Sequence, residues 1–154
     1  MGKEDFQSVE TDPTLPDDFV NESAQELFEK ILRKLRENNG FCYTVAKQFL
    51  TSPLERGADR AGVVEFQSNL INYKLSIDRA SFAERVMIGT INEDVEENMS
   101  ILIAYKEEVG GERGEIQRAT ISYSKMDLTG AEKIYRKVNS AEAISKVRRF
   151  IKDF

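Results

Sequence analysis

The segment from Ser100 to Lys125 constrains the fold most, because its pattern predicts two β-strands joined by a glycine-rich turn. The first arm, residues 100–106, carries apolar side chains at both parities, which is typical of a central strand covered on both faces. The second arm alternates, with one face formed by Gln117, Ala119, Ile121 and Tyr123 and the other by Arg118, Thr120, Ser122 and Ser124. The turn spans Val109–Gly114, and we expect positive φ angles at some of its residues. An antiparallel hairpin is therefore the predicted centre of the fold.

Further strands are predicted before this hairpin. Two groups of apolar residues occupy opposite parities: Val64, Phe66 and Leu70 in the first, and Ile71, Tyr73, Leu75 and Ile77 in the second. The phase changes at Asn69–Leu70, which predicts a bulge or a turn there. Another short strand is predicted from Arg85 to Ile91, followed by an acidic connector from Asn92 to Asn98. The total is about four or five antiparallel strands, a usual size for a sheet.

Two amphipathic helices flank these strands in the chain. The first is predicted from Ser23 to Asn38, with Ser23 and Glu26 forming a capping box before an apolar stripe at i, i+3, i+4 spacing. The second begins after Asn139 or Ser140, and its apolar face contains Ala143, Ile144, Val147, Phe150, Ile151 and Phe154. Because each helix has one apolar face, both should pack on the sheet or on each other. The predicted fold class is α+β, with an antiparallel sheet packed against N-terminal and C-terminal helices.

The remaining segments are less regular. Residues 1–18 are acidic and contain Pro13 and Pro16, so we predict a flexible acidic tail there and a single α+β domain over residues 19–154. Residues 41–50 suit either a second helix or a strand. Residues 127–138 suit either a short helix near Thr129 or an edge strand from Lys133 to Val138.

The chain contains no histidine, and this limits the chemistry it can perform. Ser–His and Cys–His nucleophile pairs and histidine-based zinc sites are excluded. An enzyme would need carboxylates, lysine, tyrosine or an added metal, and nothing selects candidates such as Glu65 or Asp78. We therefore assign no catalytic residues, cofactor or metal ligands. Whether the protein is an enzyme stays open, with the sequence favouring a non-enzymatic role.

Three short motifs are better explained by structure than by chemistry. The loop Gly110–Gly114 contains glycines but lacks the spacing of a phosphate-binding loop and leads into a strand, so it predicts a hairpin turn. Ser122 and Lys125 have Ser-x-x-Lys spacing, but on a strand they point to opposite faces. The acidic residues Glu93, Asp94, Glu96 and Glu97 lack the glycine and spacing of a calcium-binding loop, which favours a solvated connector.

Two features favour a reducing, cytoplasmic location. The single cysteine, Cys42, excludes an intramolecular disulfide framework and is expected to be a small buried apolar residue. The first residues are acidic and unlike a signal peptide, and no apolar run is long enough to span a bilayer.

Basic residues are concentrated near the C-terminus, where Glu142 is the single acidic residue among residues 133–152. At helical spacing, Lys146, Arg148, Arg149 and Lys152 lie on the arc opposite the apolar face. A charged helix back is ordinarily a solvated surface, and the functional alternative is a docking face for an anionic partner. The predicted partner-binding residues are these four together with Arg136 and Lys137.

The leading hypothesis is a non-enzymatic protein-binding module, such as an adaptor, a chaperone-like subunit or an inhibitor. The first alternative is a binder of nucleic acid or an anionic lipid surface that uses the basic C-terminal helix. The net charge of −5 argues against strong nonspecific binding of this kind. The second alternative is a small-ligand-binding protein or a histidine-independent enzyme with a pocket between sheet and helices. The partner's identity and the oligomeric state are not predicted.

Overall fold

The computed structural model describes residues 14–37, 60–68, 70–90, 94–127, 129 and 134–153. In chain order the elements are α1 (Asp17–Glu37), β1 (Arg60–Ser68), β2 (Ile71–Arg79), β3 (Ala83–Thr90), β4 (Val95–Glu107), β5 (Arg113–Asp127), β6 (Ile134–Val138) and α2 (Ala141–Asp153). The six strands of this part of the chain form one antiparallel sheet, in which each strand pairs with its neighbours in sequence. Both helices pack on it, which confirms the predicted α+β class; the strand count exceeds the predicted four or five.

The core lies between one face of the sheet and the two helices. The register places buried residues of adjacent strands opposite each other, as in the row Ile77, Val86, Ile101 and Ile121. These side chains share one cluster with Leu27 and Ile31 of α1 and with Val147 and Ile151 of α2. Leu32 of α1 and Ile103 of β4 are also buried in this core.

The opposite face of the sheet is not covered by either helix. Met87 and Leu102 lie on that face, and each is 40% exposed. The expectation that the first arm of the central hairpin is covered on both faces is therefore wrong. The apolar pattern of this arm predicted more burial than Leu102 has. Single exposed leucines such as this one are common at protein surfaces.

The central hairpin itself is confirmed as β4 and β5. Gly110 and Gly111 have φ angles of 87° and 78°, and the Gly111 amide donates a hydrogen bond to the carbonyl of Glu108. Ser122 lies on the open face, where its Oγ is 2.6 Å from Oγ of Ser100. Lys125 has the opposite parity on the same strand, so the Ser-x-x-Lys spacing does not bring the two side chains together.

Helix α1 begins six residues before the predicted capping box, at Asp17. Ser23 is buried inside the helix, so the capping-box prediction is wrong. Pro16 does not prevent the helix from starting here, because its carbonyl accepts the first helical hydrogen bond, from the amide of Val20. Proline is tolerated at this end of a helix because the first turn needs no amide donor.

The predicted tail of residues 1–18 overlaps the folded body. Thr14 forms a β-bridge with Ser140, and the amide of Leu15 donates to the carbonyl of Asn139 over 2.8 Å. Asp17 and Asp18 occupy the first turn of α1, where carboxylates interact favourably with the helix dipole. Residues 1–13 lie outside the described residues, so a tail could extend at most to residue 13.

Helix α2 follows a cap at Ser140, whose Oγ accepts a hydrogen bond from the amide of Ala143 over 3.1 Å. Asn139 instead has a φ of 52°, and its Oδ1 accepts a hydrogen bond from the amide of Ile121. The predicted apolar face is buried, as shown by Ala143, Ile144, Val147, Phe150 and Ile151. Phe154 lies outside the described residues.

The other sequence predictions have mixed outcomes. The predicted change of parity near Leu70 corresponds to a tight turn, the second of the two alternatives. Ser68 pairs with Ile71 across it, and Leu70 has a φ of 66°. The edge-strand alternative is confirmed by β6. The prediction of an acidic connector over residues 92–98 is wrong for residues 95–98, because these belong to β4. Residues 41–50, including Cys42, lie outside the described residues.

None of the helices in the described part of the chain has the length and apolar character needed to cross a membrane.

Candidate partner-binding groove between the two helices

Helices α1 and α2 lie side by side on the sheet and run in the same direction. Their starts are joined by the bridge between Thr14 and Ser140. Farther along, Arg148 Nη2 lies 3.8 Å from Glu26 Oε1. Near the end of α2, Lys34 Nζ donates hydrogen bonds to the carbonyls of Ile151 and Lys152 over 2.7 and 2.8 Å. A groove follows the C-terminal halves of the two helices.

The groove is lined by basic residues from both helices. Its lining contains Leu27 and Ile151 together with Lys30, Arg33, Lys34, Arg148 and Lys152, and its volume is about 510 Å³. Both Leu27 and Ile151 are buried and form the base. Five of the seven lining residues are therefore cationic, and none is acidic. We call this surface the basic groove.

Glu26 lies beside the basic groove and partly offsets its charge. Its carboxylate is 3.5 Å from Nζ of Lys30 and 3.8 Å from the guanidinium of Arg148. All three side chains are close to half exposed. Exposed ion pairs of this kind contribute little to stability, because water screens the charges. Lys30 and Arg148 therefore keep hydrogen-bonding capacity for a partner.

Lys34 has a structural role within the groove. The parallel arrangement brings the C-terminal ends of both helices together, and each end carries partial negative charge. The Lys34 ammonium bonds two of the unpaired carbonyls there, which satisfies the end of α2. Burial lowers the pKa of Lys34, and the nearby Asp153 carboxylate opposes this shift. Experiments on ligand binding should therefore leave Lys34 in place.

Two other depressions in the described residues lack this concentration of one charge. The first lies on the open face of the sheet and is lined by Lys74, Ser76, Met87, Gly89, Thr90, Glu96 and Asn98. The second lies on the other flank of α2 and is lined by Ile71, Tyr73, Thr90, Glu97, Arg149, Phe150 and Asp153. The first depression has one basic and one acidic residue, Lys74 and Glu96. The second has two acidic residues, Glu97 and Asp153, and one basic residue, Arg149. The basic groove is therefore the best candidate for recognising a charged ligand.

The six predicted partner-binding residues are distributed over several surfaces. Arg148 and Lys152 line the basic groove. Lys146 Nζ lies 5.8 Å from the centre of the Tyr123 ring. Arg149 lies on the other flank of α2, with its guanidinium 3.6 Å from the Glu97 carboxylate.

The two predicted residues of β6 also lie outside the basic groove. Lys137 Nζ is 3.8 Å from Glu142, and its side chain is only 10% exposed. Arg136 is exposed. Its side chain lies on the other face of β6 from Lys137, and that face points away from α2.

Lys30, Arg33 and Lys34 were not among the partner-binding residues predicted from the sequence. The sequence does show that these three residues follow Leu27 at helical spacing and therefore lie on one side of α1. Their proximity to α2 depends on how the two helices pack on the sheet.

A second charged cluster connects four strands, β2 to β5. Glu84 accepts hydrogen bonds from the guanidiniums of Arg79 and Arg113 and from the hydroxyl of Tyr105. Burial alone raises the pKa of Glu84, but the Arg79 guanidinium, the Tyr105 hydroxyl and Arg113 outweigh it, so the pKa lies below its ordinary value. Arg113 also stacks 4.0 Å from the centre of the Tyr105 ring. The polar groups of this cluster bond to each other and to the carbonyls of Ala80 and Ser81, which indicates a structural role.

Among the described residues, no group of three or more Cys, Asp and Glu side chains is arranged to hold a metal ion. Comparisons with protein-family models, curated proteins and solved structures found no match for this chain.

Proposed function

We propose that the protein is a non-enzymatic protein-binding module whose basic groove docks an acidic segment of a partner. The observation that carries this proposal is the convergence of five basic residues from two helices in a protein of net charge −5. Lys34 and Lys152 have a structural reason to be there, because they lie at helix C-terminal ends. Lys30 and Arg148 share the single carboxylate of Glu26, which offsets the charge of the groove only in part. A bound anion would reduce the remaining repulsion among the five cations. The cytoplasmic location expected from the single cysteine is part of the same proposal.

The chemistry of the groove favours a particular kind of partner segment. Arg33 and Arg148 carry planar guanidiniums, which can bind a carboxylate through two parallel hydrogen bonds. The aliphatic stems of Lys30 and Lys152 provide apolar contact along the walls. A segment that combines Asp or Glu with apolar residues satisfies both features.

The arrangement of nearby acidic residues favours a peptide over a nucleic acid or an anionic membrane. Glu22 and Glu29 are exposed on α1, and Glu26 lies at the edge of the groove. A duplex or a bilayer is an extended anionic surface and would approach these carboxylates as well as the cations. A peptide is narrow enough to follow the groove alone.

The proposal is tested with a charge-neutralised variant and a matched control. The groove variant carries Lys30→Gln, Arg33→Gln, Arg148→Gln and Lys152→Gln, and keeps Lys34. The control variant carries Lys74→Gln, Lys106→Gln, Arg118→Gln and Arg136→Gln, which removes the same charge from exposed positions on the strands. Glutamine preserves helix propensity.

The probe is a fluorescein-labelled peptide of glutamates interrupted by leucines, and binding is measured by fluorescence anisotropy. Each exposed ion pair contributes about 0.4 kcal/mol, so losing four removes about 1.6 kcal/mol and weakens binding about 15-fold. We expect this loss in the groove variant, an unchanged affinity in the control variant, and weaker binding at higher salt. Equal losses in both variants would show only nonspecific charge attraction. Tighter binding of a DNA duplex or of phosphatidylserine vesicles than of the acidic peptide would favour the alternative function.

A further inference from the structure

We propose that residues 1–13 of the same chain bind the basic groove when no partner is present and compete with the partner for it. This inference rests on the proposed function, because it assigns a regulator to the same groove. Three observations carry it: the composition of the segment, the position of its attachment and its length.

The segment has the composition that the groove favours. It contains the carboxylates of Glu4, Asp5, Glu10 and Asp12 and the single cationic side chain of Lys3, so its side-chain charge is −4 + 1 = −3. It also contains Phe6 and Val9, which supply apolar contacts beside the carboxylates. The complementary charge is thus present in the chain itself.

The segment is attached at the start of the two helices that form the groove. It ends at Pro13, next to Thr14, which bridges Ser140 at the start of α2 and lies three residues before Asp17, the first residue of α1. The groove runs away from this point between the same two helices. The attachment therefore places the groove within reach of the segment.

The length of the segment matches the distance to the cations. At 1.5 Å per residue, Lys30 lies about 20 Å and Arg33 about 24 Å along α1 from Asp17. An extended chain covers about 3.3 Å per residue, so Phe6 reaches about 26 Å from Thr14 and Asp5 about 30 Å. The carboxylates of Glu4 and Asp5 can therefore reach Lys30, Arg33 and Arg148 with slack in the chain.

Covalent attachment makes weak contacts effective. A tethered segment of this length has an effective concentration of about a millimolar or more at a nearby site. It then competes with a partner even if the free segment binds only at millimolar concentration. The expected effect is a reduction of partner affinity by about twofold to fivefold at low salt, which disappears as salt screens the charges.

The test compares the full chain with two variants. One lacks residues 2–13, and the other keeps the length but carries Glu4→Gln, Asp5→Asn, Glu10→Gln and Asp12→Asn. Both should bind the glutamate–leucine peptide about twofold to fivefold more tightly than the full chain at low salt. The amide NMR signals of Lys30 and Arg148 should also shift on deletion and return when a synthetic peptide of residues 1–13 is added.

The outcomes separate this inference from the proposed function. If the groove variant loses peptide binding but the deletion changes neither the affinity nor the NMR signals, the competing segment is refuted and the docking site stands. If the peptide binds none of the proteins, the proposed function fails, and the NMR signals still decide whether residues 1–13 contact the groove. Tighter peptide binding by the deletion variant without any change at Lys30 and Arg148 would place the segment elsewhere and also overturn the inference.

Discussion

Removing the carboxylate of Glu84 should destabilise the protein strongly. This side chain is 7% exposed, and it joins Arg79 at the end of β2, Tyr105 in β4 and Arg113 in β5. The change Glu84→Ala leaves two guanidiniums without their carboxylate and the Tyr105 hydroxyl without its acceptor. Arg113 then keeps its hydrogen bonds to the carbonyls of Ala80 and Ser81 and its stacking on the Tyr105 ring.

The expected magnitude follows from the burial of the partners. Breaking a buried ion pair by removing one partner costs about 3–5 kcal/mol, mainly because the remaining charge stays poorly solvated. The side chains of Arg79 and Arg113 are 16% and 29% exposed, so water can reach them in part. We therefore expect the lower end of this range, about 3 kcal/mol. Glu84→Gln retains one acceptor oxygen and should cost about 1–2 kcal/mol.

The stability that Glu84 contributes should also depend on pH. Its pKa in the folded protein is lower than the ordinary value of 4.5, so its contribution is present above pH 4.5 and is lost as the pH falls through the folded pKa. The difference in unfolding free energy between the wild type and Glu84→Gln should therefore shrink in acid.

Urea unfolding followed by circular dichroism measures both effects. The control is Asp78→Ala, which removes the exposed partner of Arg85 in the same hairpin and should change stability by less than about 1 kcal/mol. The reasoning is refuted if Glu84→Ala is no more destabilising than this control, or if the difference from Glu84→Gln is independent of pH.

Three further changes test how the body is held together, with the free energy of unfolding as the common measurement. Replacing the buried Leu32 or Ile103 with Ala should cost about 2–5 kcal/mol, and a loss within the range of surface substitutions would place them outside the core. Ser140→Ala removes the acceptor for the Ala143 amide and should cost about 1 kcal/mol; an unchanged value would mean that this cap is dispensable. Lys34→Met removes the hydrogen bonds to the end of α2, so we expect a loss of about 1 kcal/mol and faster amide exchange in its last turn. Unchanged exchange there would contradict the role assigned to this lysine.

Features that depend on neighbouring residues in the chain could be predicted from the sequence. The alternation of β5, the apolar face of α2 and the turn at Leu70 each follow from the local period of apolar residues. The start of α1 was predicted too late, although Val20 and Ala24 continue its apolar stripe toward the N-terminus. Pro13 and Pro16 stand just before this stripe, and proline inside a helix ordinarily breaks it, so the apolar stripe alone did not predict the earlier start.

Features that depend on packing could not be predicted in this way. Leu102 has the same apolar character as Ile101 and Ile103, yet neither α1 nor α2 covers its face of the sheet, and it is 40% exposed. The basic groove is a stronger case, because Lys34 and Ile151 are 117 residues apart in the chain and meet only where α1 and α2 pack together. Periodicity describes the faces of one helix and carries no information about which other helix lies beside it.

The docking of an acidic segment in the basic groove is tested most directly by exchanging charges between the two partners. The protein carries Arg33→Glu and Arg148→Glu, and the glutamate–leucine peptide is paired with a counterpart in which lysines replace the glutamates. A double-mutant cycle of the four affinities isolates the interaction between these charges. The account predicts that either exchange alone weakens binding and that the two together restore much of it, whereas the same exchange at Arg118 and Arg136 gives no such coupling. Losses that simply add, or equal coupling at the control positions, would contradict binding in the groove.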